Sequence, residues 1–316
     1  MLKVALKFIR PRILVTCYAI AFLGAAASGF ITSKTIMTIA VLSLWYIHAA
    51  SANDYSDRYI DAINLKDPTD RPLITQDASH GKLWIVHCVA GILALLLSSI
   101  YGFSAMMFTI GMLVLNYAYS IKPIRISDRG ILSQFLLAFA YVYYPFTLGF
   151  WSSSSGGAYP WLILFGIYLA FVARLLLKDF RDVKGDKTHG KITFVLRHGV
   201  EMTCKVSALF WLVALSIVAY SVLFDPGLSV VLLIGLAQAL MFLKMLTGSN
   251  SIKAHESMVA LIAKTANITL VAILIYYLSK TQTNISSLEA SLIIIVPSAS
   301  FFGLNFLRAI HWKRVH

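Results

Sequence analysis

The chain is poor in charge. Only 13% of its 316 residues are Asp, Glu, Lys or Arg, about half the share of an average soluble domain. Too little polar side chain is present to cover a soluble fold of this length. Acids are the scarcer sign, 14 against 27 Lys+Arg, for a net charge of +13. Cysteine is scarce as well. Cys17, Cys88 and Cys204 lie in or beside apolar stretches with no CxxC spacing, so neither a disulfide framework nor a zinc site is expected, only buried free thiols. The sequence has no P-loop, no dinucleotide fingerprint and no Ser-His-Asp arrangement, and its histidines form no ligand pattern. Disorder is excluded by a hydrophobic content of 59%.

What is present is a series of long apolar runs. About 20 such residues are needed to cross a hydrocarbon core as a helix. Ten stretches fit: Ile13–Ile31, Thr35–Ala52, Leu83–Phe103, Ser104–Ile121, Ile131–Trp151, Pro160–Leu177, Val206–Phe224, Leu228–Leu246, Ser257–Leu278 and Leu288–Leu307. None alternates with the period of two that a barrel strand would show. Unpaired backbone groups are not tolerated in lipid, so these runs predict an all-α bundle. The expected architecture is a single polytopic membrane domain over residues 1–316, with nine spans if the last segment lies on the surface and ten if it crosses. Ala25-Ala26-Ala27-Ser28 resembles a signal-peptidase site, but the run before it is longer than a usual signal core and predicts a retained span.

With ten spans, alternate connections share a face. The N-terminus, 53–82, 122–130, 174–205, 244–264 and the C-terminal tail then hold 25 of the 27 cations and 12 of the 14 acids. Lys34, Lys280, Asp225 and Glu289 remain opposite. The positive-inside rule makes the charged face cytoplasmic, with both termini on it. The positive charge therefore reads as topology, with membrane lipids around the chain, and not as a nucleic-acid surface. No obligatory protein partner is evident.

Two acidic clusters stand out within that positive face. The first is Asn53-Asp54-Tyr55-Ser56-Asp57-Arg58-Tyr59-Ile60-Asp61. On a helix, Asn53, Asp57, Asp61 and Asp54 fall within about 100° of arc. The second is Lys178-Asp179-Phe180-Arg181-Asp182-Val183-Lys184-Gly185-Asp186. Asp179, Asp182 and Asp186 span about 60° if the helix continues to Asp186, with Arg181 and Lys184 facing away. Carboxylates so placed repel one another unless cations lie between them or their pKa values rise. Hard oxygen donors that leave room for phosphate oxygens suit Mg²⁺. A transporter would place its acids mid-span, and here the spans are nearly free of them.

These motifs carry a resemblance. The chain resembles the UbiA superfamily of intramembrane prenyltransferases in NDxxDxxxD at Asn53–Asp61, Arg71-Pro72-Leu73, Tyr119-Ser120-Ile121-Lys122-Pro123, KDxxDxxGD at Lys178–Asp186, and Arg10-Pro11 entering the first span. These points run from residue 10 to about 200 in family order; the remaining third is similar only in being apolar helices. The family is usually described with nine spans, so a tenth would be a departure. The resemblance implies a bundle around a central cavity with a cytoplasmic polar cap, where the two motifs hold Mg²⁺ against a prenyl diphosphate. The diphosphate leaves, an allylic cation forms, and a lipophilic acceptor captures it. On this reading Asn53, Asp54, Asp57, Asp179 and Asp182 are metal ligands. Asp57, Asp61, Asp182 and Asp186 serve the chemistry. Asn53, Arg10, Arg71, Tyr119, Lys122 and Lys178 bind substrate. Arg125, Lys184 and Lys187 read as topology signals only.

Tyr141, Tyr143, Tyr144 and Phe146, with Phe165 and Tyr168, are candidates for a π-rich wall around the cation, though aromatics also simply pack bundles. His48 and His87 lie within spans and are expected to bond across helices. Gly185 and Gly190 are expected to shape the loop after the second cluster. Two other functions use related chemistry. A CDP-alcohol phosphotransferase would show a DGxxAR-type motif, which is absent. Phosphoribosyl transfer to a polyprenyl phosphate shares the UbiA-like fold, but Lys66-Asp67-Pro68-Thr69-Asp70 stands where its relatives tend to carry a His-Pro-type loop.

Overall fold

A computed structural model describes residues 1–65, 69–153, 157–224, 228–247 and 252–281. Among them, helix is the only regular structure. The order is α1 (Leu2–Lys7), α2 (Pro11–Ser28), α3 (Ser33–Asn64), α4 (His80–Ser98), α5 (Phe103–Ser120), α6 (Ile131–Ser152), α7 (Trp161–Lys178), α8 (Val183–Thr188), α9 (Phe194–Phe224), α10 (Ser229–Thr247) and α11 (Ile252–Thr281). Among the described residues, seven segments are long and apolar enough to cross a membrane, in α3–α7, α9 and α11. The apolar parts of α2 and α10, Ile13–Ser28 and Val231–Thr247, are shorter. The run Leu288–Leu307 lies outside the described residues.

Local chemistry sets the helix starts. Pro11 opens α2 at a position where a missing N–H costs nothing. Thr32 and Thr35 form a capping box on α3, each hydroxyl accepting from the other's backbone N–H. Ser79 accepts from Lys82 N to start α4. Two of the bundle's major contacts are α2 against α6 and α7 against α9. The first depends on glycine: a Cβ on Gly24 would lie 2.0 Å from the Phe146 carbonyl oxygen, and one on Gly149 would lie 1.8 Å from that of Ala21. Without side chains there, the two backbones approach as small-residue membrane interfaces do.

Packing is inverted relative to a soluble protein. Polar Thr35, Ser51, His48, His87, Asn116 and Gln134 are buried. Large apolar side chains such as Ile85, Ile92 and Leu96 of α4 and Leu209, Leu212 and Tyr220 of α9 are exposed. That pattern suits a surrounding of lipid. His48 and His87 stack at 3.8 Å between α3 and α4, and His87 Nδ1 bonds the Ser51 hydroxyl and the His48 carbonyl.

Three features bear on the site, the first as the helical spacing expects and the other two departing from the sequence expectation. Helix α3 runs twelve residues past Ala52, carrying the first acidic cluster beyond the apolar segment on one continuous helix. The second cluster is not on one helix. Helix α7 ends at Lys178, Asp179–Arg181 form a 3-10 turn, and α8 restarts at Val183. Asp182 is the hinge, at φ −100° and ψ 1°. Helix α9 begins at Phe194, well before the apolar run, and is kinked at Gly199 with φ 79°, a value glycine adopts without strain.

Candidate active site

The two acidic clusters are pinned side by side by Asn64, one turn beyond Asp61 on α3. Its amide donates to the Asp182 carbonyl at 2.9 Å and accepts from Gly185 N at 2.7 Å. Gly185 is required for this approach, because a Cβ there would meet the Asn64 side chain at 2.6 Å. Helix α8 thus packs on the end of α3.

Each carboxylate of the first cluster faces cations from elsewhere in the chain. Arg10 Nη2 donates to Asp54 Oδ1 at 2.6 Å. Arg71 Nε bonds Asp61 and lies 3.4 Å from Asp54, while its Nη1 is 3.2 Å from Asp70. Asp57 receives Arg125 Nη2 at 2.8 Å, Lys191 Nζ at 3.2 Å and Asn53 Nδ2 at 3.0 Å. One helical face is therefore split into two ion-pair groups: Asp54 and Asp61 with Arg10 and Arg71, Asp57 with Arg125 and Lys191. Burial opposes the charge of Arg10, but the adjoining Asp54 carboxylate and Tyr46 raise its pKa. Burial likewise opposes Lys191, and Asp57 and Asp186 hold its pKa above the ordinary lysine value.

The second cluster has fewer cations. Buried Asp179 accepts from the neutral amide of Gln134 at 2.7 Å. Asp182 pairs with the adjacent Arg181 at 2.9 Å. Arg181 therefore turns toward the cluster and not away from it, because the chain leaves the α-helix at Asp179. Asp186 is buried with Lys191 Nζ 3.8 Å away. Burial, together with Asp182, Asp179 and Asp57, pushes its carboxyl up to about 7 in spite of Lys191.

Tyr119 and Lys178 lie between the clusters. The Tyr119 hydroxyl interacts electrostatically with Lys178, Lys191, Asp179 and Asp57. Lys178 is exposed at the end of α7 and interacts electrostatically with Tyr119, Asp179 and Asp182. Lys122 is exposed, with no polar contact to either cluster among the described residues. The structure thus gathers Arg10, Asn53, Asp54, Asp57, Asp61, Arg71, Tyr119, Lys178, Asp179, Asp182 and Asp186, and leaves Lys122 outside.

Four partners escaped the sequence reading: Asn64, Arg125, Gln134 and Lys191. Arg125 looked like a topology signal, yet it bonds Asp57 from a left-handed backbone position, φ 34°. Asn64 did carry a signal, since on a helix it falls at about 20° from Asn53, inside the acidic arc. Gln134 is a lone amide near the start of an apolar span. Lys191 had no local signal. The proposed aromatic wall divides. Tyr144 and Phe146 are fully buried, Tyr144 bonding Thr109 at 3.0 Å, and serve as core. Phe165 is exposed among other outward apolar residues. Tyr141, Tyr143 and Tyr168 are partly buried and face other rings, Tyr141 against Trp45 and Tyr143 against Phe139 and Tyr168.

Among the described residues, no three acidic, histidine or cysteine side chains converge on one point as a ready metal cage. The donor set nevertheless fits a hard cation. Buried Asp54 Oδ2, Asp186 Oδ1 and Gln134 Oε1 lack hydrogen-bond partners. Orphaned oxygens beside five paired carboxylates are costly unless something positive or protic joins them.

Comparison with known proteins agrees with this geometry. The UbiA prenyltransferase family matches the sequence over residues 13–268. A digeranylgeranylglyceryl phosphate synthase from Methanothermobacter thermautotrophicus is 28% identical over 236 residues, 68% of this chain and 78% of that protein. The bacteriochlorophyll synthase 33 kDa chain from Cereibacter sphaeroides is 27% identical over 162 residues, 50% of this chain and 52% of that protein. In three dimensions, a UbiA homologue from Archaeoglobus fulgidus solved with GPP and Mg²⁺ superposes with a TM-score of 0.63 at 18% identity, covering 84% of this chain and 99% of that one. With the family match extending over most of the sequence and both acidic motifs joined at one end of the bundle, the chain belongs to the UbiA prenyltransferase family.

Proposed function

We propose that this chain is an intramembrane, Mg²⁺-dependent prenyltransferase that moves a prenyl group from a prenyl diphosphate to a lipophilic acceptor, with its polar cap and both termini on the cytoplasmic side. The observation that carries the reading is the clamp of Asn64 on Asp182 and Gly185, which holds two acidic motifs together over partly buried aromatic residues. The relatives' names point to acceptors as different as a glyceryl phosphate and a bacteriochlorophyll precursor, so the shared step is loss of diphosphate.

Asn53, Asp54, Asp57, Asp179 and Asp182 would hold Mg²⁺, with Asp61 and Asp186 completing the two motifs. Bound there, the metal supplies neutralisation of the charge that develops on the departing diphosphate. The chain's own residues do the rest. Arg10 and Arg71 orient Asp54 and Asp61. Arg125 and Lys191 hold Asp57 in place, and either can turn to a phosphate oxygen, as can Lys178. Gln134 fixes the Asp179 rotamer through one carboxylate oxygen and leaves the other free. Tyr141, Tyr143 and Tyr168 offer π-faces to an allylic cation.

The test is incubation of purified protein with labelled geranyl diphosphate, Mg²⁺ and a membrane lipid extract, with mass identification of the product. A prenylated lipid that requires Mg²⁺ is expected. Full turnover in excess chelator, or no prenylated product from any lipid fraction, would contradict the reading. Cytoplasmic sidedness is read separately by accessibility labelling of cysteines placed near Asn64 and near Lys34.

A further inference from the structure

Beneath the polar cap the bundle interior keeps accessible surface for a limited depth, and three helices show where it stops. On α3, Ala49 is partly accessible one turn below Asn53, although it shares its face with buried Trp45 and Tyr46. Tyr119 of α5 and Tyr141 of α6 are partly accessible as well. Tyr141 is nevertheless enclosed. Its ring meets that of Trp45 edge-on at 6.0 Å, and its hydroxyl interacts electrostatically with Tyr46 of α3, Cys17 of α2, Tyr119 of α5 and Arg10. With three helices around it, the accessible side of Tyr141 opens into the bundle under the acidic motifs.

Deeper on the same faces the accessible surface ends. Tyr46 on α3 is buried. So is Met112 on α5, about 20° of arc from Tyr119, and so is Tyr144 on α6, about 60° from Tyr141. These three belong to one buried cluster with Cys17, Trp45 and Leu148. Tyr144 is fixed within it. Its hydroxyl shares a hydrogen bond with Thr109 at 3.0 Å, and its ring lies 5.1 Å from Trp45 and 5.4 Å from Phe108. Helix rise gives the depth. Tyr144 lies about 15 Å below Gln134, the residue that bonds Asp179, and Tyr46 and Met112 lie about 10 Å below Asn53 and Tyr119.

We propose that Trp45, Met112 and Tyr144 are the floor of the prenyl pocket and restrict the donor to a tail of two or three isoprene units. An extended chain advances about 1.2 Å per bond. Counted from the diphosphate oxygen, a geranyl tail then reaches about 10 Å, a farnesyl tail about 14 Å and a geranylgeranyl tail about 19 Å. The first fits above the floor and the second reaches it. The third would drive into side chains already in contact, and overfilling a packed core is destabilising. This deepens the prenyl-transfer reading and rests on it, since it assigns the donor of the same site.

The test measures binding of geranyl, farnesyl and geranylgeranyl diphosphate, each with Mg²⁺, to full-length protein purified in detergent. Wild-type protein is expected to bind the two shorter donors about tenfold or more tightly than geranylgeranyl diphosphate. Tyr144→Ala and, from a different helix, Met112→Ala should each narrow that gap by admitting the longest tail, with geranyl diphosphate binding retained. Tyr144→Phe, which keeps the ring and loses the Thr109 bond, should preserve the wild-type order, so that the bulk of the floor is read apart from the stability of the bundle. Geranylgeranyl diphosphate bound by the wild type as tightly as geranyl diphosphate would overturn the floor. So would an unchanged order in alanine variants that still bind geranyl diphosphate. Failure of the wild type to bind any of the three donors would instead strike the underlying prenyl-transfer reading.

Discussion

The two acidic motifs occupy neighbouring positions but are held differently. The first sits on the unbroken end of α3, and its aspartates are matched by Arg10, Arg71, Arg125 and Lys191, drawn from four other parts of the chain. The second straddles a break between α7 and α8. Asp179 there has a neutral amide partner, and Asp186 shares a lysine at 3.8 Å. Buried charge is tolerable only when compensated. The first motif has the closer and more numerous cations, whereas the second has Arg181 on Asp182, a lysine 3.8 Å from Asp186 and a neutral amide on Asp179. On the proposed prenyl-transfer reading, this difference would give the second motif the greater share of metal binding and the first the greater share of diphosphate positioning.

Replacing one buried acid of either motif should have the largest effect. Asp57→Ala or Asp179→Ala is expected to lower turnover by at least about a hundredfold, from the size of lost electrostatic stabilisation, while leaving the protein in the membrane. Assay of geranyl diphosphate consumption in membranes and in purified protein checks this. The contrast between the motifs predicts that Asp179→Asn raises the half-saturating Mg²⁺ concentration more than Asp57→Asn does; equal shifts would erase the distinction.

Next in size is Gln134→Leu. It removes the amide that orients Asp179, and loss of such a supporting bond weakens metal affinity by about ten- to a hundredfold. The expected readout is a rise in the Mg²⁺ requirement with little change in protein stability. Lys191→Gln acts on both motifs, because it leaves Asp57 with Arg125 as its one remaining cation and Asp186 with none. Its main effect should be a higher KM for geranyl diphosphate, by about tenfold.

Gly185→Ala sharpens the comparison from the structural side. The added Cβ collides with Asn64 and breaks the clamp between motifs. A loss of about 0.5–1.5 kcal/mol is expected for displacing that partly buried amide from its hydrogen bonds, seen as a lower Tm, together with reduced turnover. The smallest effect concerns pH. With the Asp186 carboxyl pushed up to about 7 in the metal-free protein, it is protonated below that value and must lose its proton to join a cation site. The half-saturating Mg²⁺ concentration should therefore fall as pH rises through about 7, and Asp186→Asn should flatten that dependence.

Much of this was legible in the sequence. Apolar runs of about 20 residues fixed the helices, since lipid permits few alternatives. The i, i+4 spacing of Asn53, Asp57 and Asp61 placed them on one face because α3 does continue to Asn64. The break after Lys178 was not legible, as Asp-Phe-Arg-Asp fits a helix as well as a 3-10 turn. Nor were the counter-charges. Arg125 and Lys191 reach Asp57 across 68 and 134 residues, separations at which local spacing holds no information.

The most direct measurement is calorimetric titration of geranyl diphosphate into purified protein with and without Mg²⁺. The account predicts binding in the wild type that requires Mg²⁺, and loss of that binding in both Asp57→Ala and Asp179→Ala, because the two motifs hold one metal–diphosphate unit between them. Equal affinity in the absence of Mg²⁺, or undiminished Mg²⁺-dependent binding in either variant, would contradict it.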